Sequence, residues 1–414
     1  MTSADNTRRF ERRVLLLMAL VQFTNIWDFM IVMPLGPDFA RALGIDAGHI
    51  GWIAGSYSIS AAITGIIIAR FLDRFDRRSV LLFSLSGLMV TTLSMTMAST
   101  LTQLIAVRVV TGMFGGPVIA ASLAVIADVF PENRRGEAMG KVFGSFSIAS
   151  VIGVPLGLEI AQHFGWWAPF AAVSAVAAIT VATIRLQLPP MRHHLDHRGA
   201  AAPPSLFSSL RHNAAVLPAL VMTATGLFAA FLIIPNISAH VQQNMGYPRA
   251  WLGLLYFSGG AAAFFSMRIT GMRSDRIGYA KTALYATIGL WVTLYIGFYA
   301  QIHAVPVLAV FVAFMVTMST RNVTTNALIS EIPKPQERAG FMSLVSAVQH
   351  LMSGAGAMCS TLLLKETADG RLAGMDHATL IAMASFGLSL WMMFRIEKIM
   401  EKHKPIAPVE PAPL

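Results

Sequence analysis

A chain of 414 residues with 55% hydrophobic and only 13% charged residues is too apolar for a soluble protein, since soluble domains carry roughly 25% charged residues. The net charge of +10 raises nucleic acid as a partner, but Lys and Arg fall in short clusters between apolar runs, which is how membrane topology is written and not how a binding face is built. One cysteine, Cys359, excludes an intramolecular disulfide and a zinc cluster; in its apolar stretch it reads as a small buried residue rather than a reactive thiol.

The start, Arg8-Arg9-Phe10-Glu11-Arg12-Arg13 ahead of Val14 to Leu20, has the outline of a signal peptide. No small-residue cleavage site follows and the apolar run continues through Trp27 to Met33, so the pattern predicts a retained first helix. A helix needs about 20 residues to cross about 30 Å of hydrocarbon. That ruler predicts twelve spans, at 14–39, 49–70, 79–99, 102–126, 137–161, 166–187, 214–240, 249–271, 280–300, 304–328, 339–364 and 377–396. The expected architecture is an all-α membrane protein: a tail over 1–13, a six-helix bundle over 14–187, a linker over 188–213, a second six-helix bundle over 214–397 and a tail over 398–414. In the linker, Pro189-Pro190, His193, His194, His197 and Pro203-Pro204 suit a solvated hinge better than a metal site.

With the first tail placed in the cytoplasm, the inner segments carry 25 Lys and Arg residues and the outer ones 4, namely Arg41, Arg249, Lys365 and Arg371. The positive-inside rule then puts both termini in the cytoplasm. The two halves echo each other. Leu72-Asp73-Arg74-Phe75-Asp76-Arg77-Arg78 after the second span returns as Arg273-Ser274-Asp275-Arg276-Ile277-Gly278 after the eighth. Pro131-Glu132-Asn133-Arg134-Arg135-Gly136 after the fourth returns as Pro335-Gln336-Glu337-Arg338-Ala339-Gly340 after the tenth. The offsets, 202 residues from Asp73 to Asp275 and 204 from Arg134 to Arg338, are nearly equal, and such internal repeats mark secondary transporters.

On these residues the chain resembles the major facilitator superfamily, and within it the drug:proton antiporter branch of bacterial drug and sugar efflux permeases. The family's loop motif GxLxDRxGRR is met with Ala69 and Asp76 in place of its glycines, while the second copy keeps Gly271 and Gly278. The helix-4 motif RxxxG is met by Arg108 to Gly112, and the helix-5 antiporter motif by Gly153-Val154-Pro155-Leu156-Gly157. The resemblance implies a twelve-helix fold, a loop latch that breaks in each cycle (Asp73, Arg74 and Arg77 with Arg134 and Arg135, echoed by Asp275, Arg276 and Arg338), and a partnership between Arg108 and an acid on helix 1. The small residues of helix 5 are expected to pack against helix 11, whose Ser353-Gly354-Ala355-Gly356-Ala357 is equally small.

An ionisable residue inside a membrane helix is costly and marks function. Asp28, Arg108 and Arg321 qualify. Burial favours a protonated carboxyl and a nearby arginine favours the carboxylate, so a carboxyl that exchanges these surroundings loads and releases a proton. Asp28 with Arg108 is the expected coupling pair, a static ion pair being the other reading. Gln22, Asn25 and Asp28, spaced by three, share one helix face that is expected to line the central cavity, with Trp27, Asn236, Arg321, Asn322, Gln349 and His350 as further lining. Arg321 either contacts substrate or snorkels, and aromatics such as Phe29, Phe228 and Phe231 face either the cavity or lipid. Asp128 and Glu159, near helix ends, rank lower. No phosphate loop, metal constellation or activated nucleophile is legible, so neither an enzyme nor a cofactor is expected. The expected function is proton-coupled efflux of a small amphiphilic or sugar-like compound by a monomer in the bacterial inner membrane. Proton symport and a non-transporting receptor or scaffold are the competing readings.

Overall fold

The computed structural model describes residues 3–192, 213–333 and 338–402. Twelve long helices dominate it: α1 (Ser3–Ile31), α2 (Ile50–Phe71), α3 (Arg77–Ser94), α4 (Leu101–Val129), α5 (Arg134–Phe164), α6 (Ala168–Gln187), α7 (Val216–Gln243), α8 (Leu252–Ile277), α9 (Tyr279–Tyr299), α10 (Val307–Glu331), α11 (Arg338–Leu363) and α12 (Met375–Lys402). Eleven are long and apolar enough to cross a membrane. In α11 the adjacent Gln349 and His350 lower the hydropathy, yet the helix packs along α2 and α7 as a full member of the bundle.

The helices are interrupted where the sequence removes a backbone donor. The first span, expected to reach residue 39, stops at Ile31 and resumes as the short helix Gly36–Leu43. Pro34 cannot donate to a preceding carbonyl, and it disfavours helical geometry in the residue before it. Gly44, at φ +63°, closes the short helix with its N–H on the Ala40 carbonyl. In α5 a five-residue π turn, Ala149–Gly153, precedes Pro155; the missing proline N–H is absorbed by the wider turn. Pro235 tightens α7 through the turn Ile234–Asn236.

α1 to α6 form one bundle and α7 to α12 the other, joined along two seams, α2 with α11 and α5 with α8. The expectation that α5 meets α11 is therefore corrected. Each seam is made by glycines that let backbones touch. A Cβ on Gly51 would fall on the Ala357 carbonyl, one on Gly55 on Met358 and the Gly354 carbonyl, and one on Gly260 on the backbone of Ser150 and Val151. Gly153 and Gly157 of α5 instead receive Trp27 and Ile31 of α1.

The hydrophobic cores merge at the end away from the termini, where Leu35, Phe39 and Phe170 join Ile237, Leu252, Phe298 and Met375 in one cluster. At the terminal end they stay separate: one cluster draws on residues between Val14 and Leu188, the other on residues between Ala215 and Ile396. The far end is also stitched by polar contacts between bundles. Arg249 ahead of α8 binds Asp38 through Nε (3.0 Å) and Nη2 (3.0 Å), and donates from Nη2 to the Leu158 carbonyl. Asp46 accepts from the Glu366 N–H, while the Glu366 carboxylate accepts from the Ala47 N–H and from Gln243. The molecule is thus sealed at the far end and parted at the terminal end.

Substitution Gly55→Leu places a branched side chain where α11 touches the α2 backbone, and overpacking of this kind costs about 1–3 kcal/mol. The purified protein should unfold at a lower temperature, whereas Gly136→Leu, at a position with no neighbour within 4 Å, should leave the unfolding temperature unchanged.

Candidate functional site

Inside the first bundle, α1, α3 and α4 bring three polar side chains together. Asp28 and Arg108 are both fully buried. Arg108 Nη1 donates to Asp28 Oδ2 at 2.9 Å, and Thr92 Oγ1 of α3 donates to Asp28 Oδ1 at 2.7 Å. The Arg108 guanidinium lies 4.3 Å from the centre of the Tyr57 ring on α2, a cation–π contact that gains strength away from water. Tyr57 donates onward to Asn25 Oδ1 at 3.0 Å.

The helix-4 motif explains why this geometry is possible. Arg108 and Gly112 are one turn apart on the same face. Gly112 admits the Tyr57 backbone and Ser60 of α2, and Gly115 admits the Tyr57 hydroxyl. A side chain at either glycine would push α2 away and lift Tyr57 off the arginine. The buried set is not saturated: among the described residues, Arg108 Nε and Nη2 find no acceptor.

The face of α1 carrying Gln22, Asn25 and Asp28 was expected to line the central cavity. It instead turns into the first bundle, each residue at most 3% exposed. Gln22 donates to Ser122 of α4 at 2.9 Å, and Asn25 is engaged by Tyr57. Trp27 points the other way, buried against Gly153 and Gly157 of α5, its Nε1 without an acceptor among the described residues. The indole lies against the part of α5 that holds the π turn and Pro155.

In the second bundle, Asn236 is fully buried and ties α7 to α11 by donating to Ser360 Oγ at 2.9 Å. Arg321 is buried and bound by α9 and α12, donating to Thr287 Oγ1 and Ser389 Oγ, so it does not snorkel. Asn322 is exposed and accepts from Asn326 at 2.9 Å. Gln349 and His350 are half-buried on α11, and Phe29 makes tilted ring contacts with Tyr57 of its own bundle at 5.3 Å and with Phe231 of the other at 5.9 Å.

The loop motif is partly visible. The side chains of Asp73, Asp275 and Arg338 lie outside the described residues. Arg74 is exposed above Phe71, and Arg276 is exposed. Arg77 is buried and binds Asp128 at the end of α4 at 3.1 Å. Arg134 binds Glu11 at 2.9 Å, and Arg135 donates to the Phe130 carbonyl. Asp76, where the family motif has glycine, caps α3 by accepting from the Arg78 N–H and also accepts from the Met191 N–H, at the start of the linker. At the same end a cleft of ≈ 780 Å³ opens beside α1 and α5, with Arg8, Arg12, Arg134 and Lys141 around Glu11, over Leu15 and Leu16.

The sequence reading passes over Thr92 and Tyr57 and ranks Asp128, the partner of Arg77, low. Mid-span polar residues in α2 and α3 were the available signal. It also passed over Gly51 and Gly55, whose four-residue spacing in an apolar helix is itself a packing signature.

Two helical bundles with glycine seams, sealed at one end and enclosing a buried ion pair, define a secondary transporter. The chain belongs to the Major Facilitator Superfamily, whose family model matches residues 18–357 and 228–412. It is therefore a multi-pass membrane transporter and not an enzyme. It is 28% identical over 288 residues to a chloramphenicol efflux pump of Mycobacterium tuberculosis, covering 66% of this chain and 67% of that one. It is likewise 28% identical over 273 residues to the multidrug resistance protein MdtG of Serratia proteamaculans, covering 63% of this chain and 65% of that one. Among solved structures it is similar to a bacterial homolog of the human lysosomal transporter Spinster in an inward-facing, occupied conformation (TM-score 0.79, 14% identity, 97% of this chain and 99% of that one). It is also similar to a D-xylose–proton symporter (TM-score 0.77, 14% identity, 93% and 97%). At that identity the two structures speak for the fold.

Removing one partner of a buried ion pair costs about 3–5 kcal/mol, because the other charge is stranded. Arg108→Gln should therefore lower the unfolding temperature sharply. The double variant Asp28→Asn with Arg108→Gln should recover much of that loss, and a double-mutant cycle of unfolding temperatures measures the coupling.

Proposed function

We propose that the protein exports small amphiphilic compounds in exchange for protons, with Asp28 as the proton carrier and Arg108 as the group that senses its charge. The observation that carries this reading is the unit of Asp28, Arg108 and Thr92, which holds the one ion pair with both side chains fully buried among the described residues. As a carboxylate, Asp28 neutralises Arg108 and accepts from Thr92. Once protonated it no longer balances the arginine, whose Nε and Nη2 already lack acceptors among the described residues, and the arrangement built on the neutral pair is lost. A solute that binds only the form holding the neutral pair excludes the proton and is excluded by it, which is what exchange requires. The relatives that export chloramphenicol and confer multidrug resistance support efflux as the direction.

The cycle is a rocking of the bundles about the α2–α11 and α5–α8 seams. The pairs Asp38–Arg249 and Asp46–Glu366 close the far end, and the loops carrying Asp73, Arg77, Arg134 and Arg135, with their echoes at Asp275, Arg276 and Arg338, close the terminal end in the opposite state. Gln349 and His350 of α11, with Asn322 of α10, supply polar lining from the second bundle. The protein works as a monomer in the bacterial inner membrane with both termini in the cytoplasm. The 25-to-4 division of Lys and Arg supports that orientation.

Inverted inner-membrane vesicles with an acidified lumen and a pH-sensitive dye test the reading, with chloramphenicol and a panel of amphiphiles and sugars added in turn. A transported compound should drain protons from vesicles holding the wild-type protein and leave the gradient intact with Asp28→Asn. Drainage by the variant at the wild-type rate would make Asp28 a structural residue and sink the assignment.

A further inference from the structure

Among the described residues, two arginines are buried within the spans away from their ends, one in each bundle, and only one of the two has a carboxylate. Arg108 has Asp28. Arg321, 6% exposed, is held from α9 and α12: Nη1 donates to Thr287 Oγ1 at 2.6 Å, Nη2 donates to Ser389 Oγ at 3.2 Å, and the guanidinium lies 4.6 Å from the centre of the Phe386 ring. Both hydroxyls give their own hydrogens to carbonyls, Thr287 to Ala283 and Ser389 to Met222. They therefore offer the arginine lone pairs and no compensating charge.

The deficit is written into the composition as well as the geometry. Between Asn213 and Ser330 the sole acidic residue is Asp275, in the last turn of α8, and the stretches 339–364 and 377–396 contain none. Where α1 gives its arginine an aspartate, α7 gives Gly226. A Cβ built there would lie 3.8 Å from Arg321 Nη2 and 3.2 Å from Ser389 Oγ, so the position that faces the arginine from α7 carries no side chain of its own. A lone cation among apolar helices is costly. Hydroxyl acceptors and an aromatic face offset part of that cost, and an anion would offset the rest.

We propose that Arg321 is an anion-binding residue that takes a monovalent anionic group, supplied either by an acidic group on the transported solute or by a free inorganic anion such as chloride. The solute-borne case rests on the transport reading above; the anion site does not.

The test uses the purified full-length protein in a zwitterionic buffer without chloride, and reads the unfolding temperature against rising sodium benzoate, sodium chloride or benzamide, the neutral counterpart of benzoate. Benzoate should raise the unfolding temperature of the wild type and benzamide should not. Arg321→Gln should weaken the benzoate response by at least about tenfold in concentration, the worth of one charged hydrogen bond. Gly226→Asp supplies the missing carboxylate within the chain. It should unfold at a higher temperature than the wild type without anion and no longer respond to benzoate, and it carries the test if Arg321→Gln does not fold. A chloride response equal to that of benzoate assigns the site to a free anion, and a response to benzoate alone assigns it to the solute. The proposal is overturned if neither anion stabilises the wild type, or if both variants respond as the wild type does. The vesicle assay reads proton exchange and the unfolding assay reads anion binding at Arg321, so the failure of either reading leaves the other standing.

Discussion

A charge inside a hydrocarbon layer is held in place by whatever neutralises it, because water is too far away to do so. The first bundle is organised around that requirement. Asp28 and Arg108 are each fully buried, so each is the other's main source of stabilisation, and two further helices are drawn in to complete the arrangement. Thr92 brings α3 to the second carboxylate oxygen. Tyr57 brings α2 beneath the guanidinium, and Gly112 and Gly115 thin α4 so that Tyr57 fits. Removal of either charge would disturb all of these contacts at once.

The contacts between bundles are of another kind. The seams bring backbones together at Gly51, Gly55, Gly354 and Gly260, with side chains such as Met358 and Ile59 seated against the glycines. The far-end ion pair of Asp38 and Arg249 is only partly buried, at 15% side-chain exposure for each partner. Such pairs are individually weak. A closure made from a few weak polar contacts over an apolar cluster opens at modest cost, whereas the core of each bundle does not. This division of strength lets the halves move as bodies.

The departure at Asp76 from the family's glycine has a visible consequence. The carboxylate caps α3 and holds the Met191 N–H, while Arg78 donates to the Arg185 carbonyl at the end of α6. The loop after α2 is thereby fastened to the start of the linker, which a glycine could not do. The same loop reaches α4 through Arg77 and Asp128. The loop is thereby tied to α4, the helix that carries Arg108.

The sequence by itself determined the number of helices, their approximate limits, the two-fold repeat and the sidedness of the charge, because each is a local property: length of apolar run, position of proline, placement of Lys and Arg. It also named Asp28 and Arg108, since few charges interrupt the spans. Which helices meet was decided only by the tertiary structure. Small residues on α5 and α11 showed that both pack closely but not against what, and the glycines of α5 turned out to receive Trp27 and Ile31 while α11 met α2. The period of a helix states which residues share a face, as it did for Gln22, Asn25 and Asp28. It does not state the rotation of that face, which the π turn before Pro155, the glycines of α4 and the demand of Arg108 for a counter-charge set together.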